Sequence, residues 1–151
     1  IFGLLKKEKI NVELVTEYAK DRVWDEHFSI FSNQIYVFAK QYHRIHRLLN
    51  KVDVVVTDAP LLLSLYYGQN LPKSFEQLIL DTNKGLNNYN FFLQRNHPYN
   101  PVGRMQTESE AELIDGKLKT LLLKNKIVFE EELTEDATPE RIKQKVMEKL
   151  A

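Results

Sequence analysis

A continuous run of β-branched residues near the middle of the chain narrows the choice of fold more than any other feature. Positions 52–57 read Val-Asp-Val-Val-Val-Thr, and Asp58, Ala59 and Pro60 follow. A strand with one face in water alternates apolar and polar residues, whereas a strand covered on both faces is apolar along most of its length. Because proline cannot donate to a sheet, Pro60 ends the strand. The run therefore predicts a strand covered on both faces, as in α/β proteins.

Strand and helix patterns alternate along the rest of the chain. Strands are predicted at 10–15, 52–60, 88–95 and 126–133, and helices at 33–50, 61–67, 74–80 and from Thr107 and Thr138 onward. Such alternation favours right-handed crossovers between parallel strands. We therefore expect one α/β domain over residues 1–151, with a mainly parallel sheet between layers of helices.

Local patterns predict several helix faces and ends. The helix at 33–50 has an apolar stripe, made of Ile35, Phe38, Ala39, Tyr42, Ile45 and Leu49. Gln41 is placed on or near its opposite face. Thr107 and Glu110 form a T-x-x-E capping box, and Ser74 is the predicted cap of the helix at 74–80. The acidic residues 130–132 are predicted to be an exposed strand end.

Composition excludes several classes of protein. The chain has 151 residues with 21 basic and 21 acidic side chains and no cysteine. The balanced charge gives no reason to expect a nucleic-acid or membrane partner. Without cysteine there is no disulfide framework or thiol nucleophile, which fits a reducing cytoplasm. No apolar run is long enough to span a bilayer, and no signal peptide is visible. We expect a cytoplasmic protein.

The first residues have the apolar spacing of a helix without the residue types that start one. Ile1, Phe2, Leu4 and Leu5 are apolar, and the charged stretch 6–9 follows. No Ser, Thr, Asp or Asn precedes them as an N-cap. One interpretation is that the chain begins inside a helix whose first turns are absent. The other is an amphipathic N-terminal segment with nothing missing.

Charged residues follow the predicted strands, where ligands of parallel sheets bind. Glu17 comes after the first strand, with Tyr18 and Asp21 close behind, Asp58 follows the second, and Arg95 the third, with Arg104 across a loop. A carboxylate can hold magnesium, a second can accept a proton from an attacking hydroxyl, and guanidinium groups neutralise a moving phosphoryl group. The pattern indicates phosphoryl transfer.

Each of these side chains also has a purely structural interpretation. Asp58 could cap the turn after Pro60, and Glu17 and Asp21 could be solvated surface. Arg95 and Arg104 could form surface ion pairs with Glu108 or Glu112, which contribute little to stability. The loop at 97–104, rich in proline and glycine, favours a functional role because loops of defined shape often carry binding residues.

With these strand ends laid out, the chain resembles the P-loop nucleoside and nucleotide kinases. More narrowly, it is similar to phage and bacterial AAA-type ATPase/kinase proteins related to the nicotinamide riboside kinase domain. The resemblance runs through 12–21, 33–44, 52–68, 90–111 and the closing helix. It implies a three-layer P-loop fold, with ATP as phosphoryl donor and Mg²⁺ as cofactor. The G-x-x-x-x-G-K-[ST] phosphate loop of the family is absent, so the resemblance implies that the first, central strand and this loop are missing here.

The resemblance assigns roles to individual side chains. Asp58 matches the acid that holds magnesium, through water, and Glu17 matches the acid that contacts the acceptor hydroxyl or acts as a base. Arg95 and Arg104 flank a lid at about 95–107, which reaches toward the phosphates. Tyr18, Asp21 and Gln34 are assigned to substrate binding.

The function implied is ATP-dependent phosphotransfer to a small acceptor: a nucleoside, nicotinamide riboside or a nucleotide. Because the phosphate loop anchors the triphosphate, residues 1–151 alone are expected to be inactive. Two alternatives stay open, a P-loop-derived binding or assembly protein without catalysis and an ATPase without a small acceptor. Homo-oligomers also stay open, and a phage-encoded protein would act in the host cytoplasm.

Overall fold

The computed structural model describes residues 1–96, 98, 100, 102 and 107–151. Helices and strands alternate along them, which makes the chain a mixed α/β protein with small parallel sheets. The helices are α1 (Phe2–Lys7), α2 (Tyr18–Trp24), α3 (Gln34–His46), α4 (Ser64–Tyr67), α5 (Lys73–Lys84), α6 (Glu108–Lys124) and α7 (Thr138–Leu150). The strands are β1 (Val12–Val15), β2 (Val54–Thr57), β3 (Phe91–Gln94) and β4 (Glu130–Leu133). Short 3₁₀ turns occupy Phe28–Ser32 and Leu61–Leu63.

The strands pair in parallel, as the alternating pattern predicted, but they form two separate pairs. Val12 of β1 lies opposite Val54 of β2, and Phe91 of β3 lies opposite Glu130 of β4. Within the described residues, no hydrogen bonds join β2 to β3. The described strands therefore form two separate two-stranded parallel sheets.

Strand β2 is less covered than its composition predicted. All of its residues are half-buried, so the expectation of a strand enclosed on both faces is wrong for this structure. Among the described residues, β2 pairs with β1 alone, and its other edge has no strand beside it. The absence of a neighbour on one side accounts for the exposure.

The core forms where the helices pack against the strands and the turn after β2. Leu61 and Leu62 of that turn are buried together with Val15 of β1 and Ile79 of α5. Helices α3 and α5 contribute Phe38 and Phe75, whose rings meet edge-to-face with centroids 5.5 Å apart. Aromatic pairs of this geometry add stability beyond the area that they bury.

One core contact depends on a glycine. A Cβ at Gly68 would lie 2.6 Å from Cε1 of Phe75 and 2.8 Å from the carbonyl oxygen of Ser64. Gly68 therefore lets the end of α4 approach α5. Helix α5 itself begins at Lys73 after Pro72, and Ser74 is not its cap as predicted, because proline in this position already starts the helix.

Helix α3 buries part of the predicted face. Phe38 and Ile45 are buried as expected, whereas Ile35 and Ala39 are exposed. Gln41, expected on the polar face, is buried because its Oε1 accepts a hydrogen bond from the Tyr18 N–H at 2.8 Å. A buried amide is tolerated when it satisfies a backbone donor.

The capping box at the start of α6 is confirmed. Oγ1 of Thr107 accepts from the Glu110 N–H at 3.3 Å, and Oε2 of Glu110 accepts from the Thr107 N–H at 2.7 Å. These bonds satisfy donors that a helix N-terminus leaves unpaired. No helix in the described part of the chain combines the length and apolarity needed to cross a membrane.

Strand β4 lies in the acidic half of the segment that was predicted as a strand. Its residues are Glu-Glu-Glu-Leu, and the apolar residues before them are not in the strand. Nζ of Lys145 lies 2.5 Å from Glu130 and 2.7 Å from Glu132, while Arg141 pairs with Glu132 at 3.0 Å. Because α7 supplies these cations, an acidic segment can pair with β3 and bury Glu132.

Candidate functional site

Glu17 and Tyr18 lie at the transition from β1 to α2. Glu17 has extended backbone and precedes the first helical residue, Tyr18. The sequence patterns predicted only a polar stretch here, so α2 was missed. The Tyr18 N–H, unpaired within the helix, donates to Gln41 of α3. This bond sets the direction of the chain after β1 and places Glu17 half-buried at the strand end.

Asp21, expected to bind substrate, is engaged by α3. Its Oδ2 lies 2.5 Å from Nη2 of Arg44. The same guanidinium donates through Nη1 to the carbonyl oxygen of Thr16 at 3.1 Å and to its Oγ1 at 3.2 Å. Arg44 thus ties β1, α2 and α3 together, and Asp21 is its counter-ion.

Tyr18, also assigned to substrate binding, is buried between cations. The guanidinium carbons of Arg22 and Arg44 each lie 5.2 Å from its ring centroid. Tyr36 meets it edge-on at 6.1 Å. Burial first, and then the hydrogen bond with Tyr36, raises the pKa of Tyr18 above its ordinary value, so it stays a neutral phenol. The Tyr18 ring therefore packs against Arg22, Arg44 and Tyr36.

Asp58 follows β2 with its side chain exposed. The turn after it takes its side-chain hydrogen bond from Thr57, whose Oγ1 accepts from the Ala59 N–H at 3.1 Å. No side chain caps the 3₁₀ turn that starts after Pro60. The capping interpretation of Asp58 therefore finds no support, and its carboxylate faces solvent directly beyond the strand.

Arg95 follows β3 and pairs with Asp115 of α6 at 2.9 Å. The structural interpretation of Arg95 expected Glu108 or Glu112 as its partner. Asp115 lies one turn further along the same face of α6, so the kind of partner was right and its position was wrong. Arg104 and most of the loop at 97–104 lie outside the described residues.

The hydroxyl of Tyr67, at the end of α4, is influenced by acids from other parts of the chain. The pKa of Tyr67 lies above its ordinary value, first because its hydroxyl is partly buried and then because of negative charge on Glu17, Tyr66 and Asp115. Glu17 follows β1, and Asp115 holds Arg95 after β3. Electrostatic effects of this kind require the groups to lie close together. Negative charge after β1 and on α6 therefore affects the Tyr67 hydroxyl.

Gln34, which the resemblance assigned to substrate binding, lies half-buried at the start of α3. Its Nε2 donates to the carbonyl oxygen of Phe31 at 2.8 Å. Asn33 caps the helix, since its Oδ1 accepts from the Tyr36 N–H at 3.1 Å. In this structure Gln34 fastens a 3₁₀ turn to the helix that follows.

Metal binding would depend on few protein ligands. The described residues contain no group of three or more His, Asp or Glu side chains placed to hold a metal ion. Magnesium bound with a nucleotide commonly keeps several waters and uses one or two carboxylates together with phosphate oxygens. A single exposed carboxylate, such as Asp58, is compatible with a site of this kind, in which magnesium binds together with a nucleotide.

The chain matches no protein-family model, and comparisons with curated proteins and with solved structures find no similar protein. Its function is therefore inferred from the arrangement of its own side chains.

The sequence patterns missed Tyr67 and Asp115, and they did not predict the partners of Arg44. The position of Tyr67, shortly after a predicted strand and directly before Gly68, was a usable indication that it lies near the strand ends. Asp115 shares a helix face with Glu108 and Glu112, which the capping box could have revealed. Arg44 gave no such indication, because its partners lie 23 and 28 residues away along the chain.

Proposed function

We propose that this chain carries the acceptor and magnesium side of a P-loop kinase-like phosphotransferase. The reaction would transfer a phosphoryl group from ATP to a hydroxyl of a small acceptor, such as a nucleoside, nicotinamide riboside or a nucleotide. Catalysis would depend on positioning and on electrostatic stabilisation rather than on a covalent intermediate.

The observation that carries the proposal is the parallel pairing of β1 with β2, in which Val15 lies opposite Thr57, so that Glu17 and Asp58 follow neighbouring strand ends. Glu17 and Asp115 both act on the Tyr67 hydroxyl, and Asp115 also holds Arg95. In parallel sheets the carboxyl ends of the strands form the ligand-binding edge. The acids after β1 and β2 follow one such edge, which supports phosphoryl transfer there.

The separation of the described strands into two pairs also supports the proposal. Strands β1 and β2 form one parallel pair and β3 and β4 another. The P-loop kinases that the chain resembles have a further strand between these pairs, and their phosphate loop follows that strand. The printed residues contain no such loop. The proposal therefore applies to a polypeptide that supplies it, and Ile1–Ala151 alone is expected to be inactive.

Each side chain has a role in the proposed reaction. Asp58, exposed beyond β2, would hold Mg²⁺ through water. Bound magnesium would neutralise charge on the phosphates. Glu17 would position the acceptor hydroxyl, and Arg95, oriented by Asp115, would face the phosphates together with Arg104.

The test is ATP consumption by the protein translated from the whole gene, measured with a panel of nucleosides, nicotinamide riboside and nucleotides. Asp58→Asn and Glu17→Gln are expected to lower turnover at least about 100-fold, because each removes a carboxylate that positions the magnesium ion or the acceptor hydroxyl. Asp136→Asn is the matched control, because Asp136 is exposed and has no partner among the described residues. Full activity of Asp58→Asn would refute the assigned role.

A binding protein without catalysis is the second candidate. It is favoured by the absence of a phosphate-loop motif from the printed residues. Under this alternative the whole-gene protein binds an acceptor from the same panel, and ATP is not consumed with any of them.

A further inference from the structure

An open pocket of about 470 Å³ lies between β1 and one face of α3. Leu14 and Val15 of β1 form an apolar side, and Lys40, His43, Arg44 and Arg47 of α3 form a basic side. This volume is within the range of pockets that hold small organic molecules. None of the side chains proposed for phosphoryl transfer at Glu17, Asp58 or Arg95 lines it.

The basic side chains share one face of the helix. Positions 40, 44 and 47 are four and three residues apart, and position 43 lies beside them. Residues with this spacing are neighbours on a helix surface. The pocket therefore meets a continuous row of cationic and imidazole groups.

The charges in the pocket are not balanced. Asp21 is the acid that lines it, and Arg44 already pairs with Asp21 at 2.5 Å. Arg44 is held further by the carbonyl oxygen of Thr16. Among the residues that the structure describes, Lys40 and Arg47 form no ion pair, and Lys40 lies 5.2 Å from the Tyr36 ring centroid. Two cations thus face the pocket without an acidic partner.

Stabilisation of the helix end explains only part of this row. Cations in the last turn of a helix interact favourably with its dipole, which accounts for His43, Arg44 and Arg47. Lys40 lies further from the C-terminal end of α3, so the helix dipole does not explain it. Nor does an interaction with the dipole require the side chains to line a concave pocket. A ligand with negative charge and an organic part would use both the basic and the apolar side.

We propose that this pocket binds the phosphate group of a small molecule. The phosphate would lie against Lys40, His43 and Arg47, and any organic part would cover Leu14 and Val15. Arg44, fixed by Asp21, would add positive potential without leaving its ion pair. This site is independent of the proposed phosphotransfer.

The experiment is isothermal titration calorimetry of the chain at low ionic strength with two probes, inorganic phosphate and ribose 5-phosphate. At least one probe is expected to bind with a dissociation constant below about 1 mM. Tighter binding of ribose 5-phosphate assigns the pocket to an organic phosphate, and equal binding assigns it to free phosphate. Failure of both probes to bind in this range overturns the proposal.

Variants locate the binding. Lys40→Gln/Arg47→Gln is expected to weaken it at least about tenfold, since charge-assisted hydrogen bonds to phosphate are lost. Lys84→Gln/Lys117→Gln removes two charges from exposed positions outside the pocket and should leave the affinity within about twofold. Unchanged affinity in the first variant, or an equal loss in both, overturns the proposal. Urea unfolding of each variant shows whether a loss comes from misfolding.

Discussion

The Arg44 guanidinium lies 2.5 Å from the Asp21 carboxylate, and this ion pair joins α3 to α2 at the end of β1. Arg44 is 25% exposed and Asp21 41% exposed, so water screens the pair only in part. The same side chain hydrogen-bonds the carbonyl oxygen of Thr16, which holds the strand end in place. One arginine therefore sets the geometry from which Glu17 projects.

Replacing Arg44 by alanine should destabilise the protein by about 1–2 kcal/mol, because charged hydrogen bonds are lost from a partly exposed site. Arg44→Lys should recover only part of this, since lysine lacks the planar fork of donors. Arg47→Ala is the control and should change stability by less than about 0.5 kcal/mol. Urea unfolding measures all three. A loss in Arg47→Ala as large as in Arg44→Ala would contradict the prediction.

Local sequence patterns were sufficient where the interaction itself is local. The capping box of Thr107 and Glu110 joins residues three apart, and the structure confirms both of its hydrogen bonds. The strand after residue 52 was predicted because β-branched residues favour strands. Parallel pairing followed from the alternation of strands and helices.

The patterns failed where distant residues decide the outcome. The acidic run 130–132 was predicted to be the exposed end of a strand, whereas Glu132 is buried, because α7 brings Lys145 to it. Gln41 is buried by a hydrogen bond with Tyr18, 23 residues away. Acids and arginines at strand ends could be predicted from topology, but their partners could not, because ion pairing depends on how the helices pack.

The acidic strand and α7 should make stability depend on acid pH. The Lys145 ammonium, and then Tyr89, holds the pKa of Glu130 below its ordinary value, and Lys145 followed by Arg141 does the same for Glu132. A lowered folded-state pKa means that this stabilisation is present above the unfolded-state pKa, near 4.5, and is lost as the pH falls through the folded-state value.

Lys145→Met should therefore destabilise the protein at about pH 7 and have a much smaller effect at about pH 3. Urea unfolding at both pH values measures the difference. Lys117→Met is the control, because Lys117 is exposed and forms no ion pair in the described part of the chain. An equal destabilisation by Lys145→Met at both pH values would show that packing, not charge, explains the loss.

Two glycines provide a test of the packing between α4 and α5. Gly68→Ala should destabilise the protein by about 1–3 kcal/mol, because the added Cβ would meet Phe75 and the Ser64 carbonyl oxygen. Gly116→Ala, in the exposed middle of α6 with nothing within 4 Å of the new Cβ, should stabilise it by about 0.5–1 kcal/mol. Thermal unfolding of both variants checks the opposite signs. A neutral Gly68→Ala would mean that α4 and α5 do not approach so closely.

The effect of Glu17 on Tyr67 can be measured as a change in the pKa of the Tyr67 hydroxyl. Partial burial raises the pKa of Tyr67, and the Glu17 carboxylate raises it further. Glu17→Gln removes that negative charge and should lower the pKa toward the ordinary value of 10.0. NMR titration of ¹³C-labelled tyrosine follows each ring, and the signal lost in Tyr67→Phe identifies Tyr67. Glu140→Gln, on the first turn of α7, is the control and should leave this pKa unchanged. If Tyr67 titrates identically in Glu17→Gln and in the unmodified chain, the Glu17 carboxylate does not lie near the Tyr67 hydroxyl, and this prediction is wrong.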